Sequence, residues 1–583
     1  MDPINMNNSD RESIFSLLFQ KFFKKTDGEV TVPDKRGKKT VIGILLTLVF
    51  AFAAYYFMLP ALNPKDIKLY IYLILVAISF PVFMSITTRA ISKPEYQSYV
   101  KKQSKGIFIA IAVIVVVAIV GVICSAKFFR AKSYSKLMDV QTGTFATDVK
   151  ETDFSSVPML DEASAQKLGA RQLGELSEYV SQYEDAQYYT QINFKDKPVR
   201  VTTLRYANII KWITNTSKGI PAYMVVDMTT QEVKVIKLQN GIKYSPAEHF
   251  NRLLSRHLRF NYPTYLFDEP TFEIDDEGNP YWICARLDKT IGLFGGDDVT
   301  GLVIVDAITG DTEYHDINEV RTDKSLQWID RVYSADLLVE QYNYFGKYSG
   351  GFWNSVLGQK DVKVTSSGNN YLALNDDVYM YTGVTSVTND DSIIGFILCN
   401  QRTKDTTFYK ISGATEYSAM GSAEGKVQQY SYEATFPLLL NINGEPTFFM
   451  ALKDTEGLVK MYSLVNVSQY QIVVTANTLD ECLSAYNKER ANVKEDPNNQ
   501  SSQTQIKDTT VSGVIEDIRS AVMGGETYYY VKLQGSDIYY SISASKAKSA
   551  VILNVGDKVI FTVSSATDTT GEIVDAKGLE KSK

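Results

Sequence analysis

Cysteine and histidine are both scarce in this chain. Its 583 residues hold four cysteines and three histidines. Cys124 falls in an apolar run, while Cys284, Cys399 and Cys482 are spread far apart downstream. Thiolate metal sites need close pairs such as Cys-x-x-Cys, and disulfide scaffolds need a dense, even set, so neither framework is expected. His249, His257 and His315 include no pair at the i, i+4 spacing of a zinc-binding helix. The Gly-x-Ser-x-Gly elbow of many hydrolases is missing, and Gly421-Ser-Ala-Glu-Gly425 has its serine in the wrong place. Gly37-Lys38-Lys39-Thr40 lacks the earlier glycine of a phosphate-binding loop. A basic excess is lacking too, because the formal net charge is -7, which argues against a nucleic-acid partner. No catalytic, cofactor-binding or metal-ligating residue is assigned on these grounds. The expectation is a protein that is not an enzyme and carries no cofactor.

What the chain does have is apolar length. Thr40 to Pro64, Leu69 to Thr88 and Gly106 to Ala126 contain no charged residue, and each approaches the ~20 apolar residues that span a bilayer. Three transmembrane helices are expected over residues 40–126. A cleaved signal peptide does not fit, since the first run starts late and two more follow. With no ionisable residue inside any span, the helices read as an anchor rather than an ion pathway. Lys35, Arg36, Lys38 and Lys39 precede the first span, and Arg89, Lys93, Lys101, Lys102 and Lys105 fill the second connection. The first connection holds only Lys65 and Lys68. This balance puts the N-terminus in the cytoplasm and everything after Ala126 outside, in a multi-pass cell-membrane protein. Lys127, Arg130, Lys132 and Lys136 oppose that orientation, although large domains translocate largely regardless of charge. Within the N-terminal region 1–39, Ser9 to Glu12 resembles a capping box that opens an amphipathic helix. Ile14, Leu18 and Phe22 line one face of it and Lys21, Lys24 and Lys25 close it, as in a helix lying at a lipid surface or packed on protein.

Residues 127–486 read as an α+β, β-rich ectodomain. Helices are expected over Glu162 to Tyr183 and Arg205 to Asn215, and strands thereafter, with 37 tyrosines and 28 phenylalanines to fill the core. Three apolar runs end in one pattern: Asp227-x-x-Thr230-x-Glu232, Asp306-x-x-Thr309-x-Asp311 and Asn400-x-x-Thr403-x-Asp405. An Asp or Asn there can accept a backbone N–H two residues on, so each is expected to be a hairpin turn. A longer correspondence aligns Gly278, Pro280, Ala285 and Asp288 with Gly444, Pro446, Ala451 and Asp454, with an insertion around Ile291 to Asp297. At least two copies of one α+β unit are implied. Arg252, Arg256 and Arg259 surround His257 on an expected helix that either meets an anionic surface or leaves its arginines solvated. Acidic clusters such as Asp275-Asp276-Glu277 and Asp297-Asp298 read as turn tips or calcium sites, without an EF-hand register.

Residues 487–510 are almost free of apolar side chains and read as a linker. Residues 511–583 alternate Tyr-rich strands with Gly turns, as in a small β-barrel resembling an OB fold. Of Tyr528, Tyr529, Tyr530, Tyr539 and Tyr540, alternation should send about half into the core.

The strand, Asp-x-x-Thr-Gly turn and charged return strand from Leu302 to Asp316 resembles the PepSY-type repeat of propeptides and envelope proteins. The run from Leu168 to Asn477 also resembles multi-spanning membrane proteins of Gram-positive bacteria that have no assigned activity. The PepSY resemblance implies a non-catalytic module that binds or restrains an envelope peptidase or another protein. The expected function is therefore a membrane-anchored binding or scaffolding protein whose partners are the bilayer and an envelope protein or peptide. An envelope hydrolase using a carboxylate pair and an accessory subunit of a transporter are the alternatives.

Overall fold

A long aliphatic run away from water can satisfy its backbone only internally, as helix. The computed structural model describes residues 30–152, 154, 157–186, 188–374, 377–387, 389–494, 509–523, 526–536, 538–543, 553–566 and 570–580. Three of its helices are long and apolar enough to cross a membrane. The first, α1 (Arg36–Met58), ends where Leu59 turns left-handed (φ 49°) ahead of Pro60, whose ring cannot continue a helix. The first span thus stops short of Pro64, and Asp66 Oδ2 ties the following loop by accepting the Ala61 amide at 2.7 Å. Asp66 also caps α2 (Ile67–Thr88), its Oδ1 accepting the Lys68 amide at 2.9 Å. The third, α3 (Gln97–Ser125), begins well ahead of Gly106 and carries Lys101, Lys102 and Lys105 on its first turns. Gly43 lets α1 and α2 close, since a Cβ there would sit 2.8 Å from Met84 Sδ. Phe50 and Phe83 meet edge to face at 6.1 Å. The amphipathic helix expected near the N-terminus lies outside the described residues.

After Ser125 the chain turns at Ala126 into α4 (Lys127–Tyr134). The helix expected to Tyr183 is shorter: α5 (Glu162–Glu175) stops, and Leu176 to Tyr183 continue as single turns that bury Tyr179 and Tyr183 against Tyr206. Arg205 and Tyr206 end a strand instead of starting a helix, and α6 (Ile209–Asn215) begins only after Asn208 caps it. Of the three arginines, Arg256 and Arg259 lie on α7 (Leu254–Asn261), and Arg252 ends the short turn Phe250–Arg252 before it.

Four antiparallel sheets follow one another along the chain, and they share one strand order. In each, two short strands pair with a first long strand, which pairs with a second long strand, which pairs with a return strand. The long pairs are Lys197–Tyr206 with Ile220–Asp227, Pro280–Ile291 with Gly295–Asp306, Asp377–Ser386 with Asn389–Asn400, and Glu445–Lys453 with Val459–Asn466. A helix precedes each set: α5, α7, α8 (Ala335–Tyr348) and α9 (Glu416–Lys426). One backbone bond recurs in all four, from the amides of Met228, Ala307, Gln401 and Val467 to the carbonyls of Pro198, Pro280, Val378 and Pro446 at 3.0 to 3.1 Å. The third sheet gains Val140–Gly143, parallel to Thr406–Tyr409, and the short strand Gly413–Ala414. Aromatic and aliphatic side chains from adjoining sheets form continuous cores, one around Trp282, Tyr223 and Phe272 and another around Tyr333, Tyr342 and Met380.

The stretch read as a linker from residue 487 is helical at its start, in α10 (Leu479–Lys494). Buried Tyr486 bonds Thr447 and Asn466 at 2.8 and 2.9 Å, and Arg490 Nη1 reaches the Ile442 carbonyl at 3.3 Å. Residues 495–508 lie outside the described part.

A second compact unit starts at Val493. Within it, Thr509–Met523, Glu526–Leu533, Tyr539–Ser543, Lys558–Ala566 and Thr570–Glu580 form a closed barrel. The first strand pairs with the second and fourth, and the third runs parallel to the fifth. Val531, Tyr540, Ile542 and Phe561 fill it, with Tyr529 packed alongside, whereas Tyr528, Tyr530 and Tyr539 are half-buried outside that core. Of the Gly turns expected there, Gly524-Gly525 lies outside the described residues.

Candidate functional site

The three recurrent carboxylate or carboxamide motifs are turns, built alike. Asp227 Oδ1 accepts the Thr229 and Thr230 amides at 2.8 and 2.9 Å. Asp306 Oδ1 accepts those of Ile308 and Thr309 at 2.7 and 2.9 Å, and Asn400 Oδ1 those of Arg402 and Thr403 at 2.8 and 3.0 Å. Thr309 and Thr403 hydroxyls donate to Asp311 and Asp405 at 2.9 and 2.7 Å, and the Glu232 amide donates to the Thr230 hydroxyl at 3.4 Å. Each turn closes through a left-handed residue, Gln231, Gly310 or Lys404. A fourth turn that the pattern missed starts at Asn466, whose Oδ1 accepts the Gln469 amide at 2.8 Å. It falls outside the pattern because Gln469 and Gln471 stand where the others have Thr and an acid, and because its loop closes one residue later, on Ile472 instead of the sixth position. Asp275 serves a similar turn, accepting the Asn279 amide at 2.7 Å, and Asp297 and Asp298 are paired with Lys289 and Lys404. Asn375 and Asp376 lie outside the described residues.

The arginines of α7 do not form an open cationic face for an anionic surface. Arg256 is buried; its Nε donates to the Tyr56 carbonyl at 3.1 Å and its guanidinium lies 4.0 Å over the Tyr56 ring. Arg259 Nε donates to the Leu59 carbonyl at 3.1 Å and its Nη1 to the Tyr265 carbonyl at 2.6 Å. Both cations therefore satisfy carbonyls that the end of α1 leaves unbonded, where the helix dipole is negative. Arg252 bonds the Thr216 carbonyl and hydroxyl within the domain. Arg256 and Arg259 join the domain to the end of α1.

The contact continues across the same end of the bundle. The Leu62 amide donates to the Pro263 carbonyl at 2.7 Å, and Lys65 is bidentate on Asp288 at 2.8 and 2.9 Å. The insertion around Ile291 to Asp297 is the tip of the second sheet's long hairpin. There the amides of Leu293 and Phe294 both donate to Ser125 Oγ at 2.9 Å, while that hydroxyl donates to the Gly121 carbonyl at 2.8 Å. One hydroxyl thus uses its donor and both acceptor positions. Phe294 packs on Tyr70 of α2 at 5.4 Å, and Tyr134 donates to the Ser125 carbonyl at 2.7 Å. Sequence reasoning did not find Ser125, Lys65 or Phe294 as functional; the apolar Leu293-Phe294 pair between glycines in the insertion was the available signal.

Elsewhere, buried carboxylates are engaged by protein groups. Glu273 accepts the Asp330 and Arg331 amides at 2.8 and 3.0 Å, and burial pushes its pKa up to about 7. Glu248 accepts from Tyr206 and Trp212, Glu416 from Gly383 and Ser366, and Asp377 from Arg402 and Asn400. All four cysteines are free; burial raises the thiols of Cys399 and Cys482 to about 12. Among the described residues, no group of three or more His, Cys, Asp or Glu side chains could hold a metal ion. Arg256, Arg259, Lys65, Phe294 and Ser125 together form a junction between the domain and the ends of the apolar helices. Comparison with known proteins finds no matching family model and no matching curated protein.

Proposed function

We propose that this chain is a membrane-anchored, non-enzymatic binding or scaffolding protein of a bacterial envelope, with its N-terminus cytoplasmic and the four-sheet domain outside. The observation that carries the reading is the docking of that domain on the ends of all three membrane helices, through carbonyl caps, an ion pair and an inserted hairpin tip. A domain held this way keeps a fixed attitude to the bilayer, which suits a surface that must present itself to an envelope partner. The shared strand order, turn and backbone bond support reading the four sheets as copies of one PepSY-like unit that binds or restrains a protein or peptide. The barrel's pairing order, with its third and fifth strands parallel, supports likening it to an OB fold. The basic flanks before α1 and in the second connection support the orientation.

The test uses photo-crosslinkers at exposed Tyr417, Tyr430 and Tyr470 in the full chain at native levels, together with protease added to intact cells. One envelope partner recovered in near-stoichiometric yield, with the large domain cleaved from outside, is the expected result. Crosslinks to nothing but lipid, or a domain protected until the membrane is opened, would overturn the proposal.

A further inference from the structure

Large apolar side chains are exposed in two places beside the junction, and each is held out by a braced turn. On α6, Ile209, Ile210 and Ile213 are 51, 67 and 61% exposed, and neighbouring Phe250 is 62% exposed. Asn208 caps the helix with bonds of 3.0 Å to the Ile210 and Lys211 amides. Buried Glu248 grips it from beneath, accepting from Trp212 Nε1 at 2.7 Å and from the Tyr206 hydroxyl at 2.6 Å. This patch lies one guanidinium from α1: Arg256 Nη1 donates to the Phe250 carbonyl at 2.6 Å while its Nε holds the Tyr56 carbonyl.

The second patch is the turn after α8, where Trp353 and Leu357 are 63 and 75% exposed. Asn354 braces it, donating to the Lys360 carbonyl at 2.9 Å and accepting the Lys360 amide at 3.2 Å. Phe128 of α4 joins it, with ring centroids 5.0 Å from Phe352 and 5.6 Å from Trp353. Phe128 follows the last residue of α3 by a single short step of chain. A helical rise of about 1.5 Å per residue keeps it within the interfacial layer, about 5 to 7 Å deep on each side of the hydrocarbon.

The geometry points to these two patches as fingers that insert into the headgroup and acyl boundary of the bilayer in which α1 to α3 are anchored, so that the domain lies on the lipid surface at two points as well as on its helices. The occupant is lipid because both patches are continuous with span ends. Rigid loops that expose Trp, Phe, Ile and Leu there satisfy the hydrophobic effect only against acyl chains, and Trp favours that depth. The cations at Lys127, Arg130 and Lys132, which oppose the charge rule for an outward flank, border the second finger and suit phosphate headgroups. Arg130 Nε also reaches the Cys124 carbonyl at 3.3 Å, capping α3 much as Arg256 caps α1.

This inference rests on the membrane anchoring in the proposed function, and the experiment separates the two. The full chain carrying Cys124→Ser, whose other cysteines are buried, is spin-labelled singly at Ile213→Cys, Leu357→Cys, Phe52→Cys in α1 and Tyr417→Cys as a distant control. Each sample is reconstituted in nanodiscs of phosphatidylcholine and phosphatidylglycerol. Accessibility to oxygen and to a water-soluble nickel chelate is then read by paramagnetic relaxation. The expected ratio of oxygen to nickel accessibility at 213 and 357 is severalfold above that at 417 and below that at 52. Ratios at 213 and 357 equal to that at 417, with 52 lipid-like, overturn the fingers and leave the anchor standing. A water-like label at 52 overturns the anchor and the fingers together. Shielding of 213 or 357 from both reagents marks a protein neighbour and overturns the lipid assignment, and a lipid-like result at only one position overturns the two-point contact.

Discussion

Arg256 and Tyr56 stand 200 residues apart in sequence, yet the arginine both donates to the tyrosine's backbone carbonyl and covers its ring. A cation placed on the C-terminal turn of a helix meets unbonded carbonyls and the negative end of the dipole, so the contact is favoured on three counts.

Replacing Arg256 or Arg259 by Ala should therefore loosen the domain from α1. Hydrogen bonds made by charged groups contribute about 1.5–3 kcal/mol each, and their loss leaves helix-end carbonyls without partners. A lowered thermal midpoint in detergent and faster proteolysis between 250 and 265 are expected. Arg256→Lys should recover only part, because an ammonium cannot cover the ring and fork toward Phe250 and Tyr56 together. An Ala variant that melts like the parent would show that the caps carry no stability.

At the hairpin turns, Asn400 occupies the position that Asp227 and Asp306 hold, and all three accept the same pair of amides. The carbonyl oxygen is what the turn needs, and the charge is incidental. Asp306→Asn should be close to neutral, while Asp306→Ala should cost roughly 0.5–2 kcal/mol, the range for losing such a capping side chain. Adding a calcium chelator should leave both melts where they were. A chelator-induced drop in the parent would mean that the carboxylate holds an ion.

Glu273 makes the stability of the domain depend on pH. Its carboxyl is fully buried between the amides of Asp330 and Arg331, and desolvation raises its pKa from 4.5 to about 7 against the opposing pull of Arg331. A carboxyl whose pKa is higher folded than unfolded contributes its full stability below the unfolded value and loses it as pH rises through the folded one. The denaturation midpoint of the large unit should therefore fall between pH 4.5 and about 7. Glu273→Gln, which cannot ionise, should flatten part of that slope. An unchanged slope in the Gln variant would assign the pH dependence to other groups.

The membrane spans were legible because crossing oil is a matter of composition, and the absence of charge between Thr40 and Pro64 needs no tertiary knowledge. The hairpin turns were legible because an Asx side chain bonds amides two or three residues away. The fourth sheet's turn at Asn466 was hidden because Gln469 and Gln471 replace the Thr and the acid and its loop is one residue longer, although the Val467 amide still reaches the Pro446 carbonyl as its counterparts do in the other three. The helix at Ile209 is shorter than its pattern because Tyr206 falls on the apolar spacing of Ile209, Ile210 and Ile213 while belonging to a strand. The junction was illegible for a different reason. Arg256 looked like a solvated cation because its partners are backbone carbonyls of α1, and carbonyls carry no signature in sequence. Ser125 looked like the polar end of a span, and nothing local announces that two amides from the hairpin tip converge on its hydroxyl.

That convergence gives the sharpest local test. A Cβ on Gly121 would lie 2.6 Å from Phe294 Cε2 and 2.7 Å from Leu293 Cδ2, so a side chain at position 121 requires those two side chains to move. Gly121→Ala forces the tip to shift, at a cost of about 1–3 kcal/mol typical of overpacking, and Gly121→Leu should expel it. Ser125→Ala attacks the same contact from the polar side, leaving the Leu293 and Phe294 amides without an acceptor. All three variants should speed amide exchange in residues 290–297 and leave the hairpin turn at Asp306, in the same sheet, as slow as in the parent. Equal exchange at Asp306 would mean that the whole sheet has come loose, and unchanged exchange at the tip would mean that neither the close approach to Gly121 nor the Ser125 hydroxyl holds it.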